Sequence, residues 1–347
     1  MSTKTKIANN ITAAAISTLI FILFLEIAFR IFPSPARSEF LNHQFNIRHP
    51  SSQPTFGKHP TLGEWNIPGS QAVVKRREYE MTVGINTKGL RNPETPYEKS
   101  PSRYRILFLG DSFTYGTGVE EHQTFVAGVN KKIAAYGEAI NGGAPGSSTA
   151  DEFRFLQSEG IKYSPDSVVL CFFQNDIQDN FQKALDKTNH YNPSPFLSFF
   201  YRAFGRISQT LDHLFYGRSA LYAFVVNFKR NFVIPYTITD TEFAATAEWL
   251  ERIKGFTDSR GIQFAIIYIP RREEILKPEQ FLTHTYLERY AASRTIPLLS
   301  LWRVFRTRED YGTLYFPLDT HLNSSGHAEV TRLIIDFLRS ELKGFPG

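Results

Sequence analysis

The fold is limited most by a series of short, almost unbroken apolar runs: 105–110 (RILFLG), 138–141 (EAIN), 166–173 (DSVVLCFF), 263–270 (QFAIIYIP) and 297–301 (PLLSL). A strand with one wet face alternates apolar and polar residues, whereas a strand buried on both faces does not. Between the runs lie stretches with the apolar period of amphipathic helices, at 123–136, 149–161, 241–256, 284–294 and about 325–342. Alternating strands and helices predict an α/β fold: a parallel five-stranded sheet in a three-layer α/β/α arrangement. Functional groups of such open sheets collect outside the carboxyl ends of the strands. Ser112 and Asn175 both fall at such ends.

At 347 residues, 42% hydrophobic and 21% charged, the chain has ample length for a core and the composition of an ordinary globular protein. Its net charge of +5 favours anionic surroundings such as lipid headgroups or acidic polysaccharide. The basic residues are dispersed and no nucleic-acid-binding signature occurs, which argues against nucleic acid as a partner. The single cysteine, Cys171, lies in an apolar run and has no internal disulfide partner.

Residues 11–29 (ITAAAISTLIFILFLEIAF) are apolar or small except for Glu26 and two kinds of hydroxyl side chain. An uncleaved signal anchor, a cleaved signal peptide ending at Ala36 and a buried core helix are the three readings. The length of the apolar stretch and the charges between it and Ala36 favour the anchor, a single transmembrane helix. Lys4 and Lys6 favour a cytoplasmic N-terminus, blunted by Arg30 and Arg37, which puts the bulk of the chain outside the cytoplasm, periplasmic or on the cell surface. The expected organisation is an anchor over 1–32, a Pro/Ser/His-rich linker over 33–60, a small β-rich extension over 61–102 and the α/β domain over 103–347. Residues 181–235 interrupt the alternation. They hold nine Phe, four Tyr and seven Lys or Arg against Asp186 and Asp212. Such an insertion suits a membrane surface, the roof of an acyl pocket, or packing on the flank of the sheet.

The stretch RILFLGDSFTYGTGV delivers Ser112 to the end of a buried strand and follows it with Gly116 and Gly118, which leave room for a substrate. Acyl transfer through a serine needs a base near its hydroxyl, a group to orient that base, and donors for the oxyanion. In FPLDTHLNSSGHAEV, Asp319 and His321 fall in a loop after the last strand. Two residues apart in an extended segment, they project to one side and suit hydrogen bonding. His327 belongs to the following helix and is the weaker base. The glycine-rich loop NGGAPGSS and the QND that follows the third strand are sources of oxyanion donors.

These blocks resemble the SGNH (GDSL-type) hydrolase superfamily over about residues 103–342. The resemblance implies a three-layer, flavodoxin-like fold and a serine esterase with Ser112 as nucleophile. It makes Asp319 and His321 the rest of the triad, and Ser112, Gly146 and Asn175 the oxyanion hole, with Gly143 the lesser candidate in its block. No cofactor or metal is implied, and no cluster with ligand spacing occurs. The G-x-S-x-G elbow is absent, since Thr114 stands two after Ser112. Many members carry Asp-x-x-His. The Asp-x-His here resembles the branch related to alginate O-acetyltransferases, so two partners are implied: an ester substrate, whether acetylated polysaccharide or lipid, or a sugar acceptor with a membrane acyl-donor partner. A membrane-tethered binding module without catalysis is the reading from a third class. The segment YEMTVGINTKGLRNPE resembles one found upstream of GDS in membrane-anchored relatives.

Overall fold

The computed structural model describes residues 3–31, 47–48, 55–76, 78–188, 238–276, 282–317 and 319–345. It divides into two compact units, Met1–Ile47 with Asn192–Pro235, and Arg48–Tyr191 with Tyr236–Gly347.

In the first unit the chain forms helix α1 (Thr3–Ile31). Lys4, Lys6, Asn9 and Asn10 occupy its first turns, and Glu26 pairs with Arg30 at 2.8 Å near its end. The stretch between these polar groups, 11–25, spans about 22 Å at ~1.5 Å per residue, short of a hydrocarbon core of ~30 Å. Among the described residues no helix is long and apolar enough to cross a membrane. The transmembrane helix expected over 11–29 is corrected to this extent: the segment is helical, but polar residues at both ends shorten its apolar part.

The second unit is built on five parallel strands: β6 (Tyr104–Gly110), β7 (Gly137–Gly143), β8 (Ser167–Phe172), β9 (Gln263–Tyr268) and β10 (Leu298–Ser300). Their order is β10-β9-β8-β6-β7. Alternate residues of each strand enter different cores. Leu107, Leu109, Val168, Leu170 and Ile266 meet α4 (Thr149–Ser158), α6 (Asp240–Asp258) and α8 (Thr283–Ser293). Ile106, Phe108, Val169, Ala265 and Ile267 meet α3 (Phe125–Ile133) and α10 (Ser324–Glu341). Burial of both faces explains the unbroken apolar runs, each large side chain contributing roughly 1.5–3 kcal/mol.

Ahead of the sheet, β2 (Phe56–His59) pairs with β3 (Gly63–Asn66), and β4 (Gln71–Lys75) pairs with β5 (Glu80–Gly84), both antiparallel. A two-residue strand, β1 (Ile47–Arg48), precedes them. β2 thus lies within the stretch read from sequence as linker. Of the 181–235 insertion, 181–188 continue helix α5 (Asn175–Thr188), and the rest lies outside the described residues.

Candidate active site

β6 lies between β7 and β8, so the chain leaves it to one side, then returns to the other. This is the switch point at which open α/β sheets carry their sites. Gly110 pairs with both Gly143 and Cys171, so the three strands end level. The turn out of β6 is tight: a Cβ on Gly110 would collide with Thr114 and lie 2.9 Å from the Cys171 carbonyl. Asp111 caps the short helix α2 (Ser112–Tyr115), its Oδ1 accepting from Phe113 N–H at 2.9 Å. Ser112 therefore heads a helix, where its own N–H has no intrahelical acceptor.

The imidazole beside Ser112 arrives from the far part of the sequence. Tyr315 and Leu322 form an antiparallel bridge, and Phe316 N–H donates to the His321 carbonyl at 3.0 Å, making a narrow loop of 316–321. Asn323 caps α10 just beyond, accepting from Gly326 N–H. His321 Nε2 lies 2.8 Å from Ser112 Oγ and Nδ1 lies 2.5 Å from Asp319 Oδ1, which also accepts the His321 backbone N–H at 3.0 Å. Burial alone would raise the Asp319 carboxyl; the hydrogen bonds and charge of His321 outweigh it and hold it below the usual carboxylate range. An ionised Asp319 only accepts, so the Nδ1 proton points at it and the Nε2 lone pair faces the serine hydroxyl. Phe113 packs beside the imidazole with ring centroids 4.8 Å apart, and against Phe173 at 4.2 Å.

Gly146 and Asn175 follow β7 and β8, one on each side of Ser112 in the strand order. Ser147 N–H donates to the Ala144 carbonyl at 3.1 Å, and Gly146 has φ +73°. Ala144-Pro145-Gly146-Ser147 is thus a type II turn, with proline and glycine where that turn wants them. A Cβ on Gly146 would meet open space, so the turn's backbone faces no neighbour there. Asn175 opens α5. Its Nδ2 donates to Asp179 Oδ2 at 3.3 Å, leaving its second amide hydrogen, and its buried Oδ1 has no partner. Gly143 is the last residue of β7, its N–H held by Asn141 Oδ1 at 2.9 Å.

Two glycines read as making room for substrate serve packing instead. Gly116 caps α2 in the left-handed conformation (φ +86°), and the ring of Phe316 sits against Gly118. His327 is fully buried. Its Nδ1 accepts from Phe125 N–H at 3.1 Å, and burial pushes its pKa down to about 3, so it is a core group. Among the described residues no group of three His, Cys, Asp or Glu side chains is placed to hold a metal ion.

Sequence reasoning passed over Arg91, Tyr79 and Glu78. Arg91 is fully buried and donates to the carbonyls of Tyr115, Gly116, Val119 and Thr82 at 2.6–3.3 Å, which fixes the loop after Ser112. Tyr79 OH donates to Asp319 Oδ2 at 3.4 Å, and Glu78 Oε2 accepts from Asp319 N–H at 2.8 Å. The alternation of Tyr79, Met81, Val83 and Ile85 in YEMTVGIN was the one available signal; it marks Tyr79 as one of the inward-facing set but does not point to Asp319.

No protein-family model matches the chain, and no curated protein does. Among solved structures, a lipase/acylhydrolase from Enterococcus faecalis is 18% identical, covers 70% of this chain and 100% of its own, and has a TM-score of 0.44. A GDSL-like lipase from Bacteroides thetaiotaomicron is 14% identical, covering 72% and 93%, at a TM-score of 0.41. An acetyl xylan esterase is 13% identical, covering 67% and 98%, at 0.43.

Proposed function

We propose that this chain is a serine esterase of the SGNH (GDSL) kind, acting through an acyl-serine. One observation carries the reading: Ser112 Oγ, His321 and Asp319 form a continuous hydrogen-bonded line at the carboxyl end of β6. His321 Nε2 takes the Ser112 proton as Oγ attacks the ester carbonyl. The N–H groups of Ser112 and Gly146 and the Asn175 amide receive the oxyanion. The tetrahedral adduct then collapses, the C–O bond to the alcohol breaks, and His321 returns the proton to the leaving oxygen. Water, deprotonated by His321, next cleaves the acyl-serine to acid and free serine. Asp319 holds the imidazole in the required tautomer and stabilises its charged form.

The test is hydrolysis of p-nitrophenyl acetate by the chain and by Ser112→Ala, with and without acetyl-free polysaccharides. Nitrophenol release that requires Ser112 supports the esterase. Acetyl found on the sugar would redirect the second step from water to a hydroxyl acceptor. Equal rates for both proteins would overturn the reading. Side chains of α1 from Ile16 to Ile27 are largely exposed and apolar, which supports attachment of the chain to a lipid surface. Recovery of the full chain in the soluble fraction after cell lysis would end that part of the proposal.

A further inference from the structure

The loop that bears Asp319 is held internally by the Tyr315–Leu322 bridge and the Phe316–His321 hydrogen bond. Within the loop, Asp319 touches His321 through Oδ1 alone. Nothing in that arrangement prevents the carboxylate from turning about its Cβ–Cγ bond and carrying Oδ1 off the imidazole. The restraint comes from elsewhere. Arg76 N–H donates to the Tyr79 carbonyl at 2.8 Å, extending the β4–β5 pairing, and the tip of this hairpin reaches Asp319 through Glu78 and Tyr79. Glu78 Oε2 accepts the Asp319 backbone N–H at 2.8 Å, and Tyr79 OH donates to the second carboxylate oxygen at 3.4 Å. The Tyr79 ring lies against Phe316 of the same loop, with centroids 5.0 Å apart.

We propose that the tip of the β4–β5 hairpin is a positioning element for catalysis: Glu78 fixes the Asp319 backbone and Tyr79 its carboxylate plane, and through Asp319 they set the His321 ring. The proposal rests on the triad reading given above. Neither residue needs to touch substrate. The phenol is a permanent donor, because burial and then the Asp319 charge push its pKa well up. The strand that follows holds the serine side of the site. Met81 Sδ receives Gly118 N–H at 3.1 Å, Thr82 N–H donates to Glu120 Oε1 at 2.9 Å, and the Thr82 carbonyl receives Arg91. β5 therefore grips the loop after Ser112, and the two residues just ahead of it grip the Asp319 loop, so one continuous segment sets the spacing between nucleophile and base. A site that must hold its groups to within about half an ångström needs such a support.

The test compares the full chain with Tyr79→Phe, Glu78→Gln and Glu78→Ala. Tyr79→Phe keeps the ring on Phe316 and removes the donor. It is expected to lower kcat on p-nitrophenyl acetate about 5–10-fold with KM unchanged, the effect of one hydrogen bond of roughly 1 kcal/mol made to a transition-state group. Glu78→Gln retains an acceptor for Asp319 N–H and keeps the rate, whereas Glu78→Ala loses it. A second readout needs no turnover: the low-field proton resonance of His321 Nδ1, assigned by its loss in Asp319→Ala, shifts in Tyr79→Phe and stays in place in Lys75→Ala, a control at an exposed hairpin pair. A Tyr79→Phe protein with the parent kcat and an unmoved resonance overturns the proposal while leaving the esterase reading intact. A chain inactive on every ester overturns that reading, and the resonance still decides whether the hairpin positions the Asp319–His321 pair.

Discussion

The side-chain amide of Asn175 is divided between two tasks. One Nδ2 hydrogen goes to Asp179 at 3.3 Å, which fixes the rotation of the amide, and in the proposed mechanism the other goes to the substrate oxyanion. An amide restrained before the reaction stabilises a developing charge without reorganising, which is where such donors gain their strength. Asn175→Ala is therefore expected to lower kcat by about 10²–10³ with KM little changed, measured on p-nitrophenyl acetate against the parent chain. Turnover within about threefold of the parent would remove Asn175 from the oxyanion hole.

Between residues and fold, the loop after Ser112 is the element that most needs support. It turns back on itself over a few residues, and its carbonyls point inward, where Arg91 meets them. Burial lowers the Arg91 pKa, offset in part by nearby Tyr115, Glu120 and Glu121. Arg91→Leu would strand several buried carbonyl oxygens, so a loss of about 3 kcal/mol or more is expected in denaturant unfolding, with esterase activity falling in parallel. A change below ~1 kcal/mol would show that water replaces the guanidinium. Nothing in the sequence marks Arg91 as internal, because a lone arginine in TKGLRNPE reads as a surface residue. The five sheet strands were legible for the opposite reason: with both faces buried, each became a continuous apolar run. The nearness of Asp319 to His321 could be read from their spacing, a local property. The hairpin tip could not, since Tyr79 and Asp319 stand 240 residues apart and only tertiary packing joins them. β2 was missed because its residues, FGKH, are mostly polar and half-buried, without an apolar period.

Across the whole molecule, buried ionisable groups set how stability follows pH. Burial pushes Glu274 up to about 7 and Asp111 up to about 6, and raises Glu152 and Asp176 well above the carboxylate range. Each holds a proton more readily folded than unfolded, so folding gains as pH falls through these values, the gain being complete below the ordinary range near 4. His327 acts in the other sense. Held neutral down to about 3, it contributes stability that is present above about 6.5 and is lost as pH falls between those values. Glu274 and Asp111 take up protons in the folded state between pH 8 and pH 6, so Tm is expected to rise over that interval, and Glu274→Gln to flatten the upper part of that rise. A Tm that falls over the same interval in calorimetry would contradict the assignment. The length of chain between the partners has a consequence of another kind. His321 follows Ser112 by 209 residues, so a nascent polypeptide that already carries Ser112 must be extended through most of the sheet before His321 exists. Closures this long are slow beside local helix formation. The pairing of Ser112 with His321 is therefore a late event of biogenesis, and on the proposed esterase reading a chain still on the ribosome is silent toward the esters around it.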